Sequence, residues 1–100
     1  MYLMREIMYC KPGKVRPMID KFLAMKKLGE KGGMQNMRIM TDMAGEQYWT
    51  IISEMECESI DDFMKMDGMD PETMKQMEEL MKGYHDLVIR GRREIFKIEG

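Results

Sequence analysis

Few side chains in this sequence could do acid–base or nucleophilic chemistry, and they are widely spaced. His85 is the only histidine. Its ordinary pKa lies nearest neutrality, which makes it the candidate general acid or base. Asp86 follows it, but neighbours i and i+1 on a helix do not face each other, so the two make no pair. The ordinary alternative is an exposed histidine on the last helix. Cys10 and Cys57 form no CxxC motif and have no histidine close by, so no zinc site is expected. Two isolated thiols suit a reducing compartment.

A second group of candidates consists of charges inside apolar segments: Glu6, Arg38, Asp42, Glu54, Arg92 and Glu94. Buried together, they would have to pair, and would make a polar pocket. Placed at a sheet rim, they would be cross-strand pairs, which is the expectation preferred here. Arg38 and Glu54 are the candidate ligand contacts, with Tyr48 and Trp49 as rings able to stack on a flat aromatic ligand. The ordinary role of such rings is to anchor a core or an interface. Arg90, Arg92 and Arg93 form a small basic cluster suited to phosphate or RNA, but Glu94 and Glu99 dilute it and no RNA-binding signature accompanies it.

The elements that must position these residues are well punctuated. Residues 2–10 read as a strand, and Lys11-Pro12-Gly13-Lys14 as a turn. Val15, Met18, Ile19, Phe22 and Leu23 follow helical spacing, and Gly29, Gly32 and Gly33 end that helix. Residues 36–43 read as a second strand, and Ala44-Gly45-Glu46 as a hairpin turn. Residues 47–57 read as a third strand, rich in aromatic and β-branched residues. Ser59 and Asp62 open a short helix running through Met66. Asp70 and Pro71 start another, with Met74, Met77, Leu80, Met81, Tyr84 and Leu87 or Val88 as its stripe and Gly91 as its stop. Residues 92–99 make a last strand.

The order β-α-β-β-α-β describes an α+β, ferredoxin-like domain over residues 1–100. Right-handed crossovers give a four-stranded antiparallel sheet, strand order 4-1-3-2, with both helices on one face. Cys10 and Cys57 fall at opposite edges of that sheet, so no disulfide joins them. Strands one and three carry apolar residues on both faces. A sheet apolar on both sides needs cover on both, and a second copy packed sheet to sheet would supply it.

Composition narrows the function classes. The chain has 100 residues, a net charge of −2, 44% hydrophobic and 34% charged residues. That excludes a binder of nucleic acid through a broad basic surface, and it excludes disorder. No apolar run is long enough for a transmembrane helix. Arg5 and Glu6 interrupt the first strand, so it is no signal-peptide core, and a cytoplasmic location is expected. Methionine is abundant, at 16 residues. Met37, Met40 and Met43 share a spacing of three, which on a strand alternates faces, and Met74, Met77 and Met81 share a helix face. Thioethers select soft ions such as Cu(I), so copper binding is one reading. Gap-filling in a core is the other, and it leaves the metal site empty of ligands.

The opening strand ending in Cys10-Lys11-Pro12-Gly13-Lys14, the Trp49 strand ending in Glu54-Met55-Glu56, the helix start at Ser59–Phe63 and the closing Gly91-Arg92-Arg93-Glu94-Ile95 resemble the dimeric α/β-barrel superfamily. That group includes NIPSNAP-like and antibiotic-biosynthesis-monooxygenase-like proteins. The resemblance spans the chain. It implies a homodimer whose two sheets enclose a barrel with a cavity, and a structural or small-molecule-binding role without cofactor. It also implies an alternative: a cofactor-independent oxygenase or isomerase acting on a small apolar or aromatic compound. Asn36, Trp49 and His85 match the residue types of the haem-degrading branch but not its arrangement. The methionine content is not a feature of the group, and one reading of it is a methionine-enriched engineered variant.

Overall fold

The computed structural model describes residues 1–31, 36–61 and 71–100. Strand β1 (Tyr2–Cys10) leads to helix α1 (Val15–Lys31), strands β2 (Arg38–Thr41) and β3 (Thr50–Cys57), helix α2 (Pro71–Met81), a 3₁₀ turn (Tyr84–Asp86) and strand β4 (Val88–Lys97). All pairings are antiparallel, in the order β2-β3-β1-β4. This is the expected ferredoxin-like topology. The short helix expected after Ser59 begins at Ile60, and its remainder lies outside the described residues, as do Asp62, Asp70, Gly32 and Gly33.

Helix α1 turns Met18 and Phe22 onto the sheet, where they meet Ile51 of β3 and Cys10 of β1. Met18 and Ile51 are wholly buried. Each such side chain contributes roughly 1.5–3 kcal/mol through burial. A second cluster on the same face joins Met4, Met37 and Met55, packed against Tyr2 and Cys57. Register explains it, because Met4 faces Met55 directly and Met37 precedes the Arg38–Glu54 pair. The two helices are tied at one point. The Lys21 ammonium donates to the carbonyls of Leu80 and Lys82, at 3.0 and 2.8 Å, and so satisfies acceptors at the end of α2.

Register also separates the cysteines. Cys57 pairs with Tyr2 at one end of β1, and Cys10 lies at the other end. At ~3.3 Å per residue the two thiols are far beyond bridging distance. Cys10 is buried, and desolvation pushes its thiol pKa up.

Several boundaries differ from the sequence expectation. Helix α2 stops at Met81, because Gly83 adopts a left-handed conformation (φ 84°). Tyr84 and Leu87 nevertheless pack on the core from the 3₁₀ turn and the residue after it, so the apolar stripe outlasts the helix. His85 therefore sits on a tight turn, exposed, and not on a helix. Gly91 is no helix stop. It lies inside β4 opposite Met8, and β4 begins at Val88. Strand β2 is short, and β3 begins at Thr50, because Trp49 takes a positive φ of 62° and breaks the alternation. Among the described residues no helix is long and apolar enough to cross a membrane.

At Gly91 the missing side chain has a packing reason: a Cβ there would lie 2.6 Å from the Met8 sulfur and 3.3 Å from the Ile7 carbonyl. Gly91→Ala is expected to lower stability by no more than ~1 kcal/mol in urea unfolding, because the Met8 thioether is the flexible end of its side chain and can swing aside. In a Met8→Ala background the same change should cost little, so the double variant should match Met8→Ala alone.

Candidate functional site

The helices cover one face of the sheet. The other face carries Leu3, Arg5, Ile7 and Tyr9 from β1, and Thr50, Ile52, Glu54 and Glu56 from β3. Arg38 and Met40 of β2 flank it on one side, and Arg90, Arg92, Glu94 and Phe96 of β4 on the other. Alternation along antiparallel strands brings these residues together although they are distant in sequence.

One row across this face is made of charge. Arg38, Glu54, Arg5 and Glu94 stand side by side on β2, β3, β1 and β4. The Glu54 side chain is only 6% exposed. The Arg5 guanidinium meets its Oε1 at 2.7 Å through Nη2 and 2.9 Å through Nε, and Arg38 donates to Oε2 at 2.8 Å. Both carboxylate oxygens are thus satisfied, as a buried charge requires. Arg5 also lies 5.7 Å from the Phe96 ring centroid. The expectation of pairs at the sheet rim is corrected for this group: Glu54 is at the middle of the sheet, because β3 is an interior strand. Glu6 instead pairs with Arg93 at 3.2 Å, exposed and on the helix side.

The uncovered face is less bare than alternation alone implies. Ile7 and Tyr9 are buried, at 3% and 7% exposure, although among the described residues no helix packs on their face. The β2–β3 connection folds over this end of the sheet. Asp42 Oδ1 accepts from the Thr50 N–H at 2.8 Å, the Thr50 hydroxyl donates to the Gln47 carbonyl at 2.8 Å, and Arg90 of β4 donates to Gln47 Oε1 at 3.0 Å. Between loop and sheet lies a cavity of about 350 Å³, with Ile7, Ile52, Met40 and Met43 as apolar lining and Arg5, Tyr9, Arg92, Asp42 and Glu46 among its polar lining. The expectation that one chain has no layer to spare for this face is thereby corrected in part.

The other sequence candidates lie elsewhere. Trp49 and Tyr48 line an open groove of about 680 Å³ with Val15, Arg16 and Ile19 of α1, so the ring pair and the Arg38–Glu54 pair do not share one site. The Trp49 carbonyl accepts from Cys10 N–H at 2.8 Å, which fixes the loop end. His85 stacks on Tyr84, with centroids 4.0 Å apart, and borders a shallow depression along β4. It does not line the cavity under the loop. The basic cluster is split by alternation: Arg90 and Arg92 face the cavity side and Arg93 the helix side.

The three methionines spaced by three do not all converge. Met37 is buried in the core on the helix side, whereas Met40 and Met43 both border the cavity, Met43 with its side chain 99% exposed. Of the helical set, Met81 packs on the core and Met74 is exposed. Among the described residues no cluster of three or more His, Cys, Asp or Glu could hold a metal ion. Arg5 and Tyr9 were the residues that pattern reading passed over. Their signal was available in the antiparallel register of β1 on β3, which sets Arg5 opposite Glu54.

No protein-family model matches the sequence, and no curated protein matches it. Solved structures do match in fold. A NIPSNAP family protein of unknown function from Agrobacterium tumefaciens superposes with a TM-score of 0.77 at 14% identity, over 98% of this chain and 87% of that one. An uncharacterized NIPSNAP domain protein from Burkholderia xenovorans gives 0.75 at 12% identity, over 99% and 95%. A putative antibiotic biosynthesis monooxygenase from Chloroflexus aurantiacus gives 0.71 at 12% identity, over 99% and 93%. The chain therefore has the ferredoxin-like fold of NIPSNAP-like and antibiotic-biosynthesis-monooxygenase-like proteins.

The two arginines on Glu54 differ in exposure, 34% for the Arg5 side chain and 67% for Arg38. Arg5→Met, which removes the more buried partner, is expected to cost ~2–4 kcal/mol. Arg38→Met should cost less, ~1–2 kcal/mol, because it takes the donor from Oε2 of a buried carboxylate but at an edge strand where water can replace it. Chemical denaturation of the two variants measures the difference.

Proposed function

We propose that the protein is a homodimeric α/β-barrel protein that binds a small molecule on the uncovered sheet face, in the cavity beneath the β2–β3 loop. The observation that carries this reading is that face itself. It holds a fully paired buried carboxylate and two buried side chains, Ile7 and Tyr9, yet among the described residues no helix covers it. Farther along the same face, beyond the residues that line the cavity, Phe96 is 45% exposed beside Leu3. A second sheet laid on the first would cover that end and close the cavity, and symmetric pairing is the commonest way to do so. The apolar lining with a few convergent polar groups suits a small amphipathic ligand.

A second reading is a cofactor-independent oxygenase or isomerase, supported by the fold likeness to the putative antibiotic biosynthesis monooxygenase. It needs a base in the cavity. His85 does not supply one; the carboxylates that line the cavity are Asp42, which accepts a hydrogen bond from the Thr50 N–H, and Glu46.

Sedimentation velocity at tens of micromolar is expected to give a dimer, and Phe96→Glu should shift it to a folded monomer as judged by circular dichroism. A wild-type monomer under those conditions would sink the dimer reading. Naphthalene is expected to move the amide resonances of Ile7, Tyr9 and Ile52, and Met40→Trp, which fills the cavity, should abolish that response.

A further inference from the structure

We infer that Arg90 and Arg92 form an anion site at the mouth of the cavity, and that its ligand is a small organic carboxylate with an apolar or aromatic body. The inference rests on the reading of the cavity as a binding site and names the class of molecule it takes. Register places Arg90 opposite Tyr9 and Arg92 opposite Ile7. Their guanidinium carbons lie 4.6 and 5.9 Å from the centroid of the same Tyr9 ring. Two like charges therefore share one aromatic ring, which attracts each of them while they repel each other.

Among the described residues neither arginine takes part in an ion pair. The carboxylates nearest in the fold are Asp42 and Glu46 in the cavity lining and Glu94 on the same face of β4, and none of them closes on either guanidinium. Arg90 donates to the neutral amide oxygen of Gln47, which holds its guanidinium beside the loop. The nearby Asp42 carboxylate turns an oxygen to the Thr50 N–H. Arg5, the third cation of this region, is committed to Glu54. An incoming carboxylate would find two N–H forks with unused donors, and guanidinium matches carboxylate geometry in a bidentate manner. Behind the pair, Ile7, Ile52 and Met40 offer an apolar wall for the rest of the ligand. A cavity of about 350 Å³ holds a molecule of one or two rings.

The test compares benzoate with benzamide, two probes of one shape and different charge, titrated into the full chain at low salt and followed by the amide shifts of Tyr9, Ile52 and Arg92. Benzoate is expected to bind at least about tenfold more tightly than benzamide. Arg92→Gln should remove most of that preference, as should Arg90→Gln. Arg93→Gln, on the opposite face, should leave it intact. Equal binding of both probes, or a benzoate preference that survives both Gln variants, overturns the anion site and leaves the cavity reading standing. If neither probe moves these amides, both readings fail.

Discussion

The rest of the structure hangs on the carboxylate of Glu54. A charge removed from water at the middle of a sheet is tolerable only when both oxygens are occupied, and here Arg5 and Arg38 occupy them from the two neighbouring strands. That requirement fixes more than one contact. It sets β1 against β3 and β3 against β2 in one register, because no other alignment brings both guanidinium groups to the same residue. It also makes the uncovered face charged across its middle, with apolar side chains on both sides of the row. Leu3 and Phe96 stand on one side of the charged row, and Ile7, Ile52 and Met40 on the other.

The apolar end beyond the row is where the β2–β3 loop comes down. Its anchors are all polar: Asp42 to Thr50, Thr50 to Gln47 and Gln47 to Arg90. Those bonds hold a roof over Ile7 and Tyr9 without filling the space beneath it. Among the described residues nothing roofs the end that carries Leu3 and Phe96. A second sheet and a small ligand would thus answer two different vacancies on one face, and each follows from where the loop stops.

Much of this was legible in the sequence. The strand order, the helix faces and the identity of both apolar sheet faces follow from period-two and period-3.6 spacing, which local sequence reports well. Arg38 and Glu54 were recognisable as charges out of place in strands. What escaped was information held in pairing rather than in any one segment. Arg5 looks like an ordinary interruption of β1 until it is set opposite Glu54, and Arg90, Arg92 and Arg93 look like one cluster until the strand divides them. The local misreadings have local causes. The stripe Met77–Leu87 continues past Gly83 because a 3₁₀ turn can keep Tyr84 and Leu87 on the core, so periodicity hid the end of α2. Gly91 resembled a helix stop, whereas its real office is to admit the Met8 sulfur. Trp49, strongly strand-forming by type, adopts a left-handed backbone that propensity argues against.

Methionine abundance gives the polar row a further significance. On the helix side, Met4 of β1 and Met55 of β3 cluster with Met37, which directly precedes β2, and Met8 packs over Gly91. Unbranched, flexible side chains adapt to many neighbours, and cores built from them specify a packing poorly. A slip of two residues between β1 and β3 would set Met55 opposite Tyr2 or Glu6, and flexible thioethers could absorb much of that change. The opposite face could not. The same slip would set Glu54 against Leu3 or Ile7 and leave a buried carboxylate without its inner partner, at a cost of several kcal/mol. One-residue slips fail sooner, because they turn Glu54 into the helix-covered core. The uniqueness that side-chain shape supplies in a Leu- and Ile-rich core is here carried by an ion row on the opposite side of the same strands. Of that row Arg5 also lines the cavity, so the proposed ligand site and the ion row meet at one side chain.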